Sequence, residues 1–143
     1  MNKQQLRILF AVVYIAIDLV YVYLSKGVYD DAVTKVQGGP MPFGLTRIIA
    51  AIGAWICMAL GWYFFTTTLV DKWIATGMSP ITAGAAAGFI NGLVVIGTFN
   101  LTLHGMFTNY GAAIMTRDMI WGIGWVTLLT ILYSIAVQVN SSK

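Results

Sequence analysis

The run ITAGAAAGFINGLVVIGTFNLTL, from Ile81 to Leu103, is long, apolar and uncharged, and His104-Gly105 follows it directly. Gly84, Gly88 and Gly92 recur every four residues, and Asn91 sits near the middle. At about 100° per residue, Gly84, Gly88, Asn91, Val95, Thr98 and Thr102 share one stripe of a helix. In lipid such a stripe lets a second backbone approach closely, and a polar side chain within it can hydrogen-bond across the contact. The stretch reads as the central packing helix of a small membrane protein.

Composition agrees. Of 143 residues, 59% are hydrophobic and 9% are charged, against about a quarter charged in a soluble domain. So few charges cannot cover a water-facing surface. The length suits one domain of about four spans with short connections. Lys and Arg number eight against five acidic residues, a small excess spread along the chain, which excludes a nucleic-acid footprint. The single Cys57 rules out an intrachain disulfide, and no His/Cys cluster offers a metal site.

Working outward, the expected fold is all-α: a polytopic membrane protein with four transmembrane helices in one antiparallel bundle. The spans fall at about 8–24, 48–70, 81–103 and 118–138. Lys3 and Arg7 precede the first, but Asp18 and the lack of a small-x-small ending argue for a retained span, not a signal peptide. A carboxylate at that depth costs roughly 2.5–3.5 kcal/mol on insertion scales, so Asp18 should face the bundle, on one side with Tyr14, Tyr21 and Ser25. The second span carries another small-residue stripe, Gly53, Cys57 and Gly61, read with Gly84, Gly88 and Gly92 as helix packing. Trp62, Tyr63 and Thr66 to Thr68 should approach an interface. Pro80 suits the first turn of the third span.

Two connections are long. Residues 25–45 hold a candidate interfacial helix from Val28 to Val36, with Tyr29, Val33 and Val36 toward lipid and Asp30, Asp31 and Lys35 toward water. Gly38-Gly39-Pro40-Met41-Pro42 then turns the chain. Residues 104–117 form the other. Four spans put both termini on one side. The Lys/Arg count is four against four across the membrane, so orientation leans only on Lys3 and Arg7, which favour cytoplasmic termini.

The best pair for chemistry is Asp18 with Asn91, each ten positions into a parallel span and so at similar depth. The functional reading is a polar centre that binds a proton or small solute; the structural one is a buried hydrogen bond that fixes helix register. Asn100, about 160° from the glycine stripe, reads as an interfacial amide, and His104 as interfacial. Arg117-Asp118 reads as a helix N-terminal anchor. Trp55, Trp62, Trp121 and Trp125 read as belt or packing aromatics. No catalytic constellation, cofactor fingerprint or metal ligand set emerges, so a non-enzymatic role is expected.

Ala16-Ile17-Asp18-Leu19, Tyr29, Gly97-Thr98-Phe99-Asn100-Leu101-Thr102 and Asp118-Met119-Ile120-Trp121-Gly122 occur in an order that resembles the DUF2177 family of small four-helix membrane proteins. That family has an aspartate in the first span, Thr-Tyr-Asp-Leu-Thr-Asn in the third and Asp-x-x-Trp-Gly at the start of the fourth. Asp18, Thr98, Leu101, Thr102, Asp118, Trp121 and Gly122 match, whereas Phe99, Asn100 and Leu103 depart. If the family's third-span aspartate carries a proton or cation, Asn100 cannot. The resemblance implies relatives in bacteria, algae and large DNA viruses of algae, and hence a membrane beneath a viral capsid as one setting.

The first expectation is therefore a structural or scaffolding membrane protein in contact with lipid, with protein partners at the 25–45 and 104–117 loops. The alternative is a transporter or channel subunit that uses Asp18 and Asn91 and works as a homo-oligomer. A lipid-modifying enzyme built on Asp18, His104 and Asp118 ranks last, because these groups should not converge.

Overall fold

A computed structural model of the chain describes residues 1–40 and 44–141. The expected turn at residues 41–42 and the last two residues of the polar tail, 142–143, lie outside the described residues. Five helices follow one another: α1 (Lys3–Leu24), α2 (Lys26–Gln37), α3 (Leu45–Ala75), α4 (Pro80–Met106) and α5 (Ala112–Ser141). Four of them, all but α2, are long and apolar enough to cross a membrane, and the chain is a multi-pass integral membrane protein.

Local chemistry sets the ends. Asn2 accepts from Gln5 N at 2.8 Å while Gln5 Oε1 accepts from Asn2 N at 2.9 Å, a capping box that starts α1. Ser79 accepts from Thr82 N at 3.1 Å, with Pro80 in the first turn of α4. Gly38 ends α2 at φ +77°, and Gly77 turns the chain between α3 and α4 at φ +95°, both left-handed conformations that favour glycine. The spans extend beyond the apolar runs, because the capping signals lie in the polar flanks. The last helix begins at Ala112 instead of Asp118, so the 104–117 connection is helical except for residues 107–111.

Side-chain contacts fix the register. Arg7 meets Asp71, Phe10 meets Trp62 and Asp18 meets Trp55, so α1 and α3 run antiparallel. Phe10 meets Tyr133 and Tyr21 meets Asp118, so α1 and α5 do too. Gly84 lies on Ile131 and Gly92 on Ile123, which sets α4 against α5 in the same sense. Helix order around the bundle is α1, α3, α4, α5. The amino group of Met1 reaches Asn140 Oδ1 at 3.4 Å, which brings both described ends to one side.

The α4–α5 contact is the closest. A Cβ on Gly84 would stand 2.7 Å from Ile131 Cα, on Gly88 2.7 Å from Thr127 Cα, and on Gly92 2.8 Å from Ile123 Cα. Gly122 answers from α5, where a Cβ would meet Ile96 at 2.7 Å. Small residues allow this approach, and dispersion over the matched surfaces holds it. The rest of the core sets two aromatics among buried aliphatic side chains such as Val70, Val126 and Leu129: Trp62 and Tyr133 are both 0% exposed and meet edge-on at 5.3 Å. Trp62 Nε1 donates to Thr130 Oγ1 at 2.9 Å.

Two expectations fail here. Gly53, Cys57 and Gly61 do not pack: a Cβ on either glycine meets nothing within 4 Å, and Cys57 is exposed. The inward row of α3 is Trp55, Ala59 and Trp62, on the opposite side of the helix. Lipid is as apolar as the stripe, so burial goes to the side chains that find hydrogen-bond partners. Trp62 is thus a core residue and not an interfacial one. Thr66 and Thr67 are likewise buried.

The second failure has a geometric cause. One turn of α4, Leu93–Gly97, is a π-turn. Its extra residue rotates the remainder of the helix by about 100°. Asn100 therefore swings from the outer face to the interior, where it is 1% exposed, while Thr98 and Thr102 leave the glycine stripe and become exposed.

Candidate functional site

The polar side chains of the bundle gather at three levels. The richest lies at the end where α2 and the 107–111 turn cover the helices. Asp118, in the second turn of α5 and 8% exposed, is its centre. Its Oδ1 accepts from Tyr29 Oη at 2.7 Å and from Tyr21 Oη at 2.9 Å. Two phenols on one oxygen join α1, α2 and α5. Tyr29 does not face lipid: α2 forms as expected but turns this residue inward. The cause is chemical, since a buried carboxylate needs donors and a phenol supplies one at the end of a long apolar ring. Nor is Asp118 an exposed helix-end anchor, because α5 starts six residues earlier.

Around this clasp, Trp121 stacks on Tyr21 at 4.5 Å and 9°. Tyr110 Oη donates to Asn100 Oδ1 at 2.7 Å, and Asn100 Nδ2 donates to Ile96 O at 3.1 Å, within the π-turn. His104 Nδ1 donates to Tyr110 O at 2.8 Å. Arg117 donates through Nη2 to Ser25 Oγ at 3.1 Å. Asn109 Nδ2 donates to Lys35 O at 3.0 Å, which ties the turn to α2. Burial and Asp118 push the Tyr29 hydroxyl far above the usual tyrosine range. Burial, then Asp118 and Tyr21, raises Tyr110 to about 12. Both phenols are held as neutral donors, which suits a clasp and not a general base.

At the middle level Asp18 accepts from Trp55 Nε1 at 2.7 Å. The pairing of Asp18 with Asn91 does not form. Asn91 Oδ1 is buried with no hydrogen-bond partner, as are the Nε1 atoms of Trp121 and Trp125. The two residues do share a level, but α1 and α4 lie diagonally across the bundle, so Asp18 finds the adjacent α3 instead. The third level is at the end that holds Met1 and Asn140. Asp71 Oδ2 pairs with Lys3 at 2.8 Å and with Arg7, whose Nε donates to Tyr133 Oη at 3.3 Å.

Of the motif residues, Asn100, Asp118, Trp121 and Gly122 lie in or against the first level. Asp18 belongs to the middle one, and Thr98 and Thr102 belong to neither. Among the described residues no group of three or more His, Cys, Asp or Glu side chains is placed to hold a metal. Tyr21 is legible from sequence on the Asp18 side of the first span, and Arg7 with Asp71 is legible as opposite charges on the same membrane side. Tyr110 has no sequence signal, because its role depends on the π-turn. The geometry defines a multi-pass membrane protein with four spanning helices and a polar clasp at one end. Compared with family models, with curated proteins and with solved structures, the chain matches none.

Proposed function

We propose that the chain is a non-enzymatic structural protein of a membrane assembly, with lipid around its four spans and protein partners at the end formed by α2 and residues 107–111. The observation that carries this reading is the use made of Asp118. This enclosed carboxylate is occupied by two phenols that hold α1, α2 and α5 in register, as a rigid docking face requires. The likeness to the DUF2177 family extends the proposal to a membrane beneath a viral capsid, and Lys3 and Arg7 favour cytoplasmic termini.

Gentle extraction from the native membrane, with partners counted by mass spectrometry, tests it. A fixed ratio to other structural proteins is expected, and free copies in the native membrane would reject it. One observation favours a second reading: Asn91 Oδ1 is buried without a partner at the level of Asp18. A homo-oligomeric transporter using this layer would show proton or cation flux in vesicles that Asp18→Asn abolishes. No flux across several ions and pH values sinks that alternative.

A further inference from the structure

The outer side of α5 carries a groove of about 710 Å³ beside the Asp118 clasp. Its floor is small, Ala112, Ala113 and Thr116; Tyr21 and Trp121 wall it, and Ile120 stands at its inner end with 71% of its surface exposed. The lining is mostly apolar, and Arg117 is its one charged residue.

Arg117 is held in place and electrostatically unmatched. It donates to the hydroxyl of buried Ser25, and its guanidinium lies 6.0 Å from the Tyr21 ring centroid. The ion pairs among the described residues are Lys3–Asp71, Arg7–Asp71 and Lys26–Asp30, so no carboxylate neutralises it. Asp118, next in the chain, is engaged by Tyr21 and Tyr29. A guanidinium has five N–H donors in a fork that matches a phosphate.

Depth selects the source of that phosphate. The 30 residues of α5 span about 45 Å, while the hydrocarbon core is about 30 Å thick. Centred in the membrane, α5 brings Arg117 to the edge of the hydrocarbon, with Ile120 and Trp121 just inside and Ala112 and Ala113 among the headgroups. We propose that this groove binds one membrane phospholipid, its phosphate on Arg117 and the upper part of an acyl chain against Ile120 and Trp121. The inference needs only a membrane-embedded bundle and stands apart from the scaffold reading.

The test uses the full chain in detergent, supplied with phosphatidylglycerol or with diacylglycerol of the same acyl chains, and counts retained lipid by native mass spectrometry. One phosphatidylglycerol per chain is expected, with diacylglycerol lost. Arg117→Gln should lower retention about tenfold. Ala113→Trp, which fills the floor and leaves the charge, should expel the lipid as well, so the idea survives a folding failure of either variant. Equal retention of both lipids, or unchanged retention in a folded variant, overturns the proposal. So does a lipid-free dimer, which would assign the groove to a second copy.

Discussion

Tyr29 and Asp118 are 89 residues apart in the chain and meet at 2.7 Å, a phenol of the short amphipathic α2 on a carboxylate oxygen in α5. This bond, with that of Tyr21 at 2.9 Å, decides where α2 lies. Without it α2 would resemble an ordinary interfacial segment, held to the bundle's end mainly by the Asn109–Lys35 tie. With it, α2 becomes a cap over one end, and Asn109 fastens the same cap from the opposite connection.

Tyr29→Phe removes one donor and keeps the ring. A hydrogen bond to a charged group contributes about 1.5–3 kcal/mol, so the variant should lose stability of that order. The loss should be local: amide exchange should rise across α2, residues 26–37, before it rises in the spans. Equal protection of α2 in wild type and variant would show that the bond does not hold the cap. Combining Tyr29→Phe with Tyr21→Phe should be non-additive, because both phenols serve the same oxygen.

Alkaline pH should open the same end. Tyr29 and Tyr110 have hydroxyl pKa values raised in the folded state, Tyr110 to about 12. The folded chain therefore holds these protons more tightly than the unfolded one. Their contribution is fully present below the ordinary tyrosine value of about 10 and is lost as pH rises through the folded value. Ultraviolet absorbance at 295 nm should show tyrosines that ionise only above about pH 10, and denaturant resistance should fall over the same interval. Tyr110→Phe should flatten the part of that fall between about pH 10 and 12. An unchanged profile in that variant would remove Tyr110 from the account.

The class of protein and its main seam are legible in the sequence; the misses come where one side chain or one turn alters the phase. Gly84, Gly88 and Gly92 can be read because only residues without a side chain allow a second backbone so close, and period four survives in any straight helix. The Gly53, Cys57 and Gly61 stripe has the same period and a different fate, since lipid and protein are almost equivalent solvents for it. Asn100 escapes a period count because a π-turn leaves no mark in the apolar pattern, yet it turns the remainder of the helix by about 100°. Asp18 and Asn91 share the expected level and still do not pair. Depth follows from position in a span, while adjacency follows from the order of helices around the bundle.

The two glycine stripes should respond oppositely to alanine. At Gly88 a methyl group would stand 2.7 Å from Thr127 Cα, and backbone cannot give way cheaply. Overpacking of this kind costs about 1–3 kcal/mol, so Gly88→Ala should separate α4 from α5 and lower the unfolding midpoint in mixed micelles. Gly84→Ala should behave alike. Gly53→Ala and Gly61→Ala meet nothing within 4 Å, and the gain in helix propensity of about 0.5–1 kcal/mol should leave them neutral or slightly stabilised. A destabilised Gly61→Ala would indicate a second copy packed on that face.

Asp71 offers the last test, at the end opposite the clasp. Its Oδ2 serves both Lys3 and Arg7, but the two cations differ: the Lys3 side chain is 50% exposed and that of Arg7 23%. Water and salt screen the first pair, so Lys3→Ala should cost less than about 1 kcal/mol, an effect that vanishes at high ionic strength. Arg7 also donates to Tyr133 Oη, deep in the aromatic core, so its removal should cost more and resist salt. Asp71→Leu alone leaves Arg7 without its acid and should be the most damaging single change of the set. Arg7→Met together with Asp71→Leu should recover much of the loss, because an apolar pair has no charge to desolvate. A double-mutant cycle on Arg7 and Asp71, read from unfolding midpoints, gives the coupling directly. A coupling near zero would mean that α1 is fixed to α3 by the Phe10–Trp62 and Asp18–Trp55 contacts without help from the ion pair.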